Sequence, residues 1–221
     1  MVEAIFIGTF VPMILMLGLL RHSRAVIGCF CWGMAAFFLV HLVSPPLYRF
    51  LGTSGNLDVE AVFVGPPLEE LLKPLPVYLM AAFAPRSFVP FFYILGLACG
   101  IGFAVEENLT YLVQFDLGTE QEARGIMVIR SFSTCLMHGV ATGFIGYALT
   151  VARRRRLFAR LTLPVLSWIV ASVYHGSFNW LMLNEFLVPA VLLAFLAFLA
   201  FLLTMKELEA KAPETRGTVW E

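Results

Sequence analysis

Apolar runs recur along the chain from its first residues to about residue 205, each near the roughly 20 residues a helix needs to cross hydrocarbon. They predict about seven spans, at 3–20, 25–43, 58–83, 88–113, 126–151, 161–183 and 186–205. Short segments of about 10 residues with alternating polarity, the mark of a membrane β-barrel, do not appear. The expected fold is therefore an all-α polytopic membrane protein: one transmembrane bundle over 1–205 and a short cytoplasmic tail over 206–221. The first run reads as a span rather than a cleaved leader, because it carries Glu3 in place of a basic region and ends in "RHSR". The third run differs from the others. Pro66 and Pro67 open the stretch "GPPLEELLKPLPVYL" and Pro74 and Pro76 interrupt it, so a broken third helix is expected.

Composition agrees with this pattern and leaves no room for a sizeable soluble domain. The chain is 60% hydrophobic and only 14% charged, against about 25% charged in soluble domains. With seven alternating spans, Arg21, Arg24, Arg86, Arg153 to Arg156, Arg160, Lys206, Lys211 and Arg216 fall on one side. Only Arg49 and Arg124, beside Asp116, Glu120 and Glu122, fall on the other. Basic loops stay in the cytoplasm, which puts the amino terminus outside and the carboxyl terminus inside. The run "RRRR" at a span boundary reads as an orientation signal in contact with lipid headgroups, not as a nucleic-acid site. Cys29, Cys31, Cys99 and Cys135 all lie in spans and read as small apolar side chains.

The informative residues are the polar ones inside the spans. A charge at the bilayer centre costs about 2.5–3.5 kcal/mol on insertion scales, so embedded Glu69, Glu70, Lys73, Glu106, Glu107 and Arg130 need partners. Lys73 follows Glu69 by four residues and Glu70 by three, so one ammonium serves two carboxylates. Such a pair suits water activation near neutral pH. Arg130, Thr134, His138 and Thr142 recur every four residues and form one stripe; His175 and Asn179 share a face of the next span. At 1.5 Å per residue, Glu69, Glu70, His138 and His175 all fall about 12–20 Å from one surface. A carboxylate, two imidazoles and an amide in one layer suit hydrolysis, with the amide donating to an oxyanion. Gly100 and Gly102 allow the fourth span to approach a neighbour closely.

The motifs "EELLK", "GFAVEEN", "HGVATG" after an arginine, and "HGSFN" occur in this order on successive spans. In this the chain resembles PrsW-type membrane proteases, which belong with the CAAX prenyl endopeptidases and bacteriocin-immunity proteins. The resemblance covers about residues 60–182. It implies an intramembrane endopeptidase in the plasma membrane of a bacterium or archaeon, cutting a membrane-protein substrate such as an anti-sigma factor by extracytoplasmic site-1-type cleavage. Carried over by position, Glu69 or Glu70 with His138 activates water, and His175 and Asn179 support the oxyanion. The related group has one more residue between the paired glutamates and its basic residue than "EELLK" has, which leaves the base open between Glu69 and Glu70, with Glu69 favoured for its full-turn spacing from Lys73. Lys73, Glu107, Asn108 and Arg130 take supporting positions.

The leading expectation is a glutamate-type protease that requires no cofactor. A zinc-dependent variant would use Glu70, His138 and His175 as ligands with water in the open position. A proton-coupled transporter, or an idle immunity or scaffold protein, is the alternative from another class. Against a transporter stands the lack of a visible repeat between the halves.

Overall fold

Prolines break one segment of the chain at Pro74, whereas Pro45, Pro46 and Pro164 lie within unbroken helices; Gly96, Gly100 and Gly102 let helices touch. The computed structural model describes residues 3, 6, 7, 14, 24–83, 92–114, 118–153 and 155–210. Five of its helices are long and apolar enough to cross a membrane. They are α1 (Arg24–Leu51), α5 (Phe92–Gln114), α6 (Glu120–Ala152), α7 (Leu157–Leu183) and α8 (Leu187–Ala210). The chain is thus an integral membrane protein, all-helical among the described residues.

The expected third span is a helix broken into short pieces, as its prolines predict. These are α2 (Leu57–Val59), a π-helical segment (Glu60–Val64), α3 (Gly65–Leu72) and α4 (Leu75–Phe83). None reaches the length of a span, and the break falls at Lys73 and Pro74. The expected first span lies almost wholly outside the described residues. Of its positions, Ile7 accepts a hydrogen bond at its carbonyl from Ser131 Oγ (2.9 Å), and Glu3 pairs with Arg124 (2.7 Å). At the other end α8 continues through Ala210, past the expected start of the tail; residues 211–221 lie outside the described residues.

The broken segment survives at depth because its neighbours replace what the prolines remove. In the π segment the N–H of Gly65 reaches back five residues to Glu60 O. The next donor in that register would be Pro66, which has none, and Ala61 O instead accepts from Asn179 Nδ2 at 2.9 Å. Pro76 likewise cannot serve Leu72 O, which accepts from Trp32 Nε1 at 3.2 Å. Trp168 Nε1 donates to Pro67 O at 2.9 Å. Arg153 Nη1 donates to Ala81 O at 2.8 Å, in the last turn of α4, where a cation also suits the helix dipole. Orphaned carbonyls in hydrocarbon would each cost several kcal/mol; side chains from α1, α6 and α7 remove that cost.

The core is the antiparallel pair α5 and α6, each with 78% of its apolar window buried against 11% for α7. Their contact is a rail of missing side chains. Gly96 and Gly100 of α5 face the carbonyls of Thr142 and His138 on α6 so closely that no Cβ fits. Gly102 faces Phe30 O of α1 in the same way. The close approach expected of Gly100 and Gly102 is therefore present, and Gly100 brings the backbone of His138 against α5.

Candidate active site

Three helices and the broken segment deliver one polar cluster. The four-residue stripe on α6 is the organising element, and each member meets a different partner. Arg130 Nη2 donates to Glu107 Oε1 at 3.0 Å, with its guanidinium 3.9 Å from the Tyr111 ring centre. Thr134 Oγ1 donates to Asn108 Oδ1 at 3.1 Å. His138 meets both Glu107 and Lys73, and Thr142 Oγ1 donates to Glu70 Oε2 at 3.0 Å. A helix that recurs every 3.6 residues keeps positions four apart nearly in line, so one face of α6 can engage α5 and α3 together.

The two adjacent glutamates have opposite circumstances. Glu70 is fully buried and saturated. Its Oε1 accepts from Lys73 Nζ at 2.5 Å and from His175 Nδ1 at 3.0 Å, while Oε2 takes the Thr142 hydroxyl. Glu69 keeps 18% of its side chain exposed, and its Oε2 is buried without a hydrogen-bond partner. That oxygen lies 3.6 Å from Lys73 Nζ and 3.8 Å from His175 Nε2. The open carboxylate is thus Glu69.

Both histidines are fixed from behind by carboxylates. An ionised carboxylate accepts only, so Glu107 Oε2, 2.5 Å from His138 Nε2, holds the proton on that nitrogen. His138 Nδ1 then accepts from Lys73 Nζ at 2.8 Å. By the same argument Glu70 holds the proton on His175 Nδ1 and leaves the Nε2 lone pair turned toward Glu69. The rings meet edge to face, with centres 4.7 Å apart.

Glu69, His138 and His175 each offer a donor atom within 4.8 Å of the other two. The donor chemistry fits a zinc ion. There are one carboxylate oxygen without a hydrogen bond and two imidazoles, each backed by a carboxylate as metal-ligating histidines ordinarily are, with Lys73 beside the Glu69 oxygen and on His138 Nδ1. The ligand set expected from sequence named Glu70; here Glu70 stands behind His175, and Glu69 takes the place in the trio.

Of the residues singled out from sequence, Glu69, Glu70, Lys73, Glu107, His138 and His175 come together, with Arg130 and Asn108 flanking them. Asn179 is on the same face of α7 as His175, and one of its two amide N–H groups donates to Ala61 O. Thr142 was visible in the stripe but not singled out as a site residue. Gly176 was also passed over; it packs against Val62 O with no room for a Cβ, which seats α7 on the π segment.

A sequence model of the PrsW family, described as intramembrane metalloproteases, matches residues 21–205. No curated protein matches the chain, nor does any solved structure.

Proposed function

Since this chain belongs to the PrsW family of intramembrane metalloproteases, we propose that its membrane-embedded cluster hydrolyses peptide bonds of membrane proteins. The observation that carries this reading is the unpartnered Oε2 of Glu69 facing the free lone pair of His175. A water held between them would have a base on one side and an acceptor on the other.

Glu69, His138 and His175 would hold a zinc ion, provided Lys73 Nζ gives up its 2.8 Å contact with His138 Nδ1 to the metal. When bound, it would supply Lewis acidity toward the scissile carbonyl and lower the pKa of its water. The remaining work falls to the chain. Glu69, through the carboxylate oxygen not given to the metal, takes a proton from the water as the water oxygen bonds to the carbonyl carbon. The same proton passes to the leaving nitrogen as the C–N bond breaks, leaving an acid and an amine. Glu70 and Glu107 hold the two imidazoles in their tautomers, and Lys73 neutralises Glu70 where no water can. Thr142 fixes the second oxygen of Glu70, so the carboxylate cannot rotate away from His175.

A metal-free variant, with Glu69 as the sole base, is supported by one contact. Lys73 Nζ sits 2.8 Å from His138 Nδ1, and an ammonium there can serve as the resident cation. The substrate class we propose is a single-span membrane protein such as an anti-sigma factor, cut on the extracytoplasmic side of a bacterial or archaeal plasma membrane. Its support is the motif order and the bias of basic residues to one set of loops.

The test is cleavage of a panel of single-span membrane proteins by purified protein in detergent, as wild type, Glu69→Gln and His175→Ala. Cleavage by wild type and loss in both variants is expected. Proton or solute flux that depends on Glu70, with no cleavage of any panel member, would replace the protease by a transporter.

A further inference from the structure

The ammonium of Lys73 stands on atoms that a metal ion would also need. Its Nζ lies 2.8 Å from His138 Nδ1 and 3.6 Å from Glu69 Oε2. Glu107 takes the other ring nitrogen of His138, so Nδ1 carries the one lone pair that ring can offer. A metal held by Glu69, His138 and His175 needs that lone pair and a carboxylate oxygen of Glu69. One lone pair cannot serve an ammonium and a metal ion at once. Glu70 lies outside the trio and holds the same ammonium at 2.5 Å, and the Phe103 ring centre is 4.7 Å from it. Lys73 can therefore leave His138 and Glu69 without becoming an unpaired charge at 0% exposure, which would be costly. The spacing provides for this. Lys73 follows Glu69 by four residues and Glu70 by three, at the break between α3 and α4, and so reaches either carboxylate.

We propose that Lys73 is a built-in competitor for the metal: a divalent cation enters by displacing its ammonium from His138 and Glu69 onto Glu70 alone. This rests on the zinc form of the protease reading. It gives the adjacent glutamates separate tasks, Glu69 to the metal and Glu70 to the ammonium that the metal moves. The exchange is a change of partners, with no proton gained or lost. It also sets the metal affinity of the cluster below that of the same three ligands with no cation beside them, since a bound metal ion stands next to a like charge.

The test measures zinc affinity by chelator competition on purified protein in one detergent, at one pH and below the melting temperature of each variant. Wild type, Lys73→Met, Glu70→Gln and the double variant, Lys73→Met with Glu70→Gln, are compared. Two like charges about 4 Å apart, at an effective dielectric constant of about 20, repel enough to change a binding constant by well over tenfold. Lys73→Met should therefore bind zinc at least about tenfold more tightly than wild type. The double variant should exceed Glu70→Gln by at least as much, and in that comparison no carboxylate is stranded. The sign separates competition from support, because damage to a supporting residue weakens metal binding. Zinc affinity in the double variant equal to or below that of Glu70→Gln would overturn the assignment. If no variant bound zinc, the metal trio and this assignment would fall together, and cleavage by wild type would then leave the metal-free protease standing.

Discussion

Lys73→Met is the perturbation whose cost the geometry defines best. Lys73 and Glu70 are both 0% exposed and stand 2.5 Å apart. Removing the ammonium strands a buried carboxylate that keeps only His175 and Thr142 as donors. Breaking a buried pair from one side costs about 3–5 kcal/mol, whereas replacing both charges by neutral groups is often close to neutral. For a chain of this size that loss lowers Tm by about 6–20 °C. Glu70→Gln should cost less, because Lys73 keeps Glu69 at 3.6 Å and His138 at 2.8 Å. The double variant, Lys73→Met with Glu70→Gln, should recover at least half of the Lys73→Met loss. The assay is a double-mutant cycle by thermal unfolding in one detergent, cross-checked by SDS titration. If Lys73→Met melted with wild type, or if the double variant fell by the sum of the single losses, the pair would not be holding the site together.

Four further outcomes follow from other contacts. Glu69→Gln should abolish cleavage with Tm little changed, since Glu69 Oε2 makes no hydrogen bond and only a 3.6 Å ion pair with a Lys73 that keeps Glu70; a clear drop in Tm would show a structural role. Asn179→Ala should cost about 1–3 kcal/mol by leaving Ala61 O without its donor, read as a lower Tm. Gly100→Ala should cost at least about 1–3 kcal/mol, because the new methyl meets the His138 carbonyl and backbone cannot yield as a flexible side chain would. Glu107→Gln should weaken zinc binding by about 10- to 100-fold in chelator competition while leaving His138 in place.

Much of the site was legible because helical spacing is rigid. The stripe Arg130, Thr134, His138, Thr142 needed only the period of the helix, and each member has its partner. The Glu69, Glu70 and Lys73 grouping was equally local. What spacing could not divide was the labour between the two glutamates, since that depends on which one meets α6 and α7. Glu70 meets both, through Thr142 and His175, and so is spent on positioning. Nor could it foresee the partner of Asn179. Pro66 announces a missing donor, but an α-helical register would leave Val62 O vacant, and only the π segment moves the vacancy to Ala61. The break in the third apolar run was legible too: its prolines predict an interrupted helix at 58–83, and the helix breaks at Lys73 and Pro74 into α3 and α4.

The measurement that bears most directly on the account is cleavage of a panel substrate by wild type before chelation, after it and after zinc is added back, with Glu69→Gln alongside. The account predicts that wild-type cleavage disappears with the chelator and returns with zinc, and that Glu69→Gln stays silent throughout. Cleavage by Glu69→Gln at the wild-type rate would contradict it, because the one open carboxylate of the cluster would then have no part in the reaction.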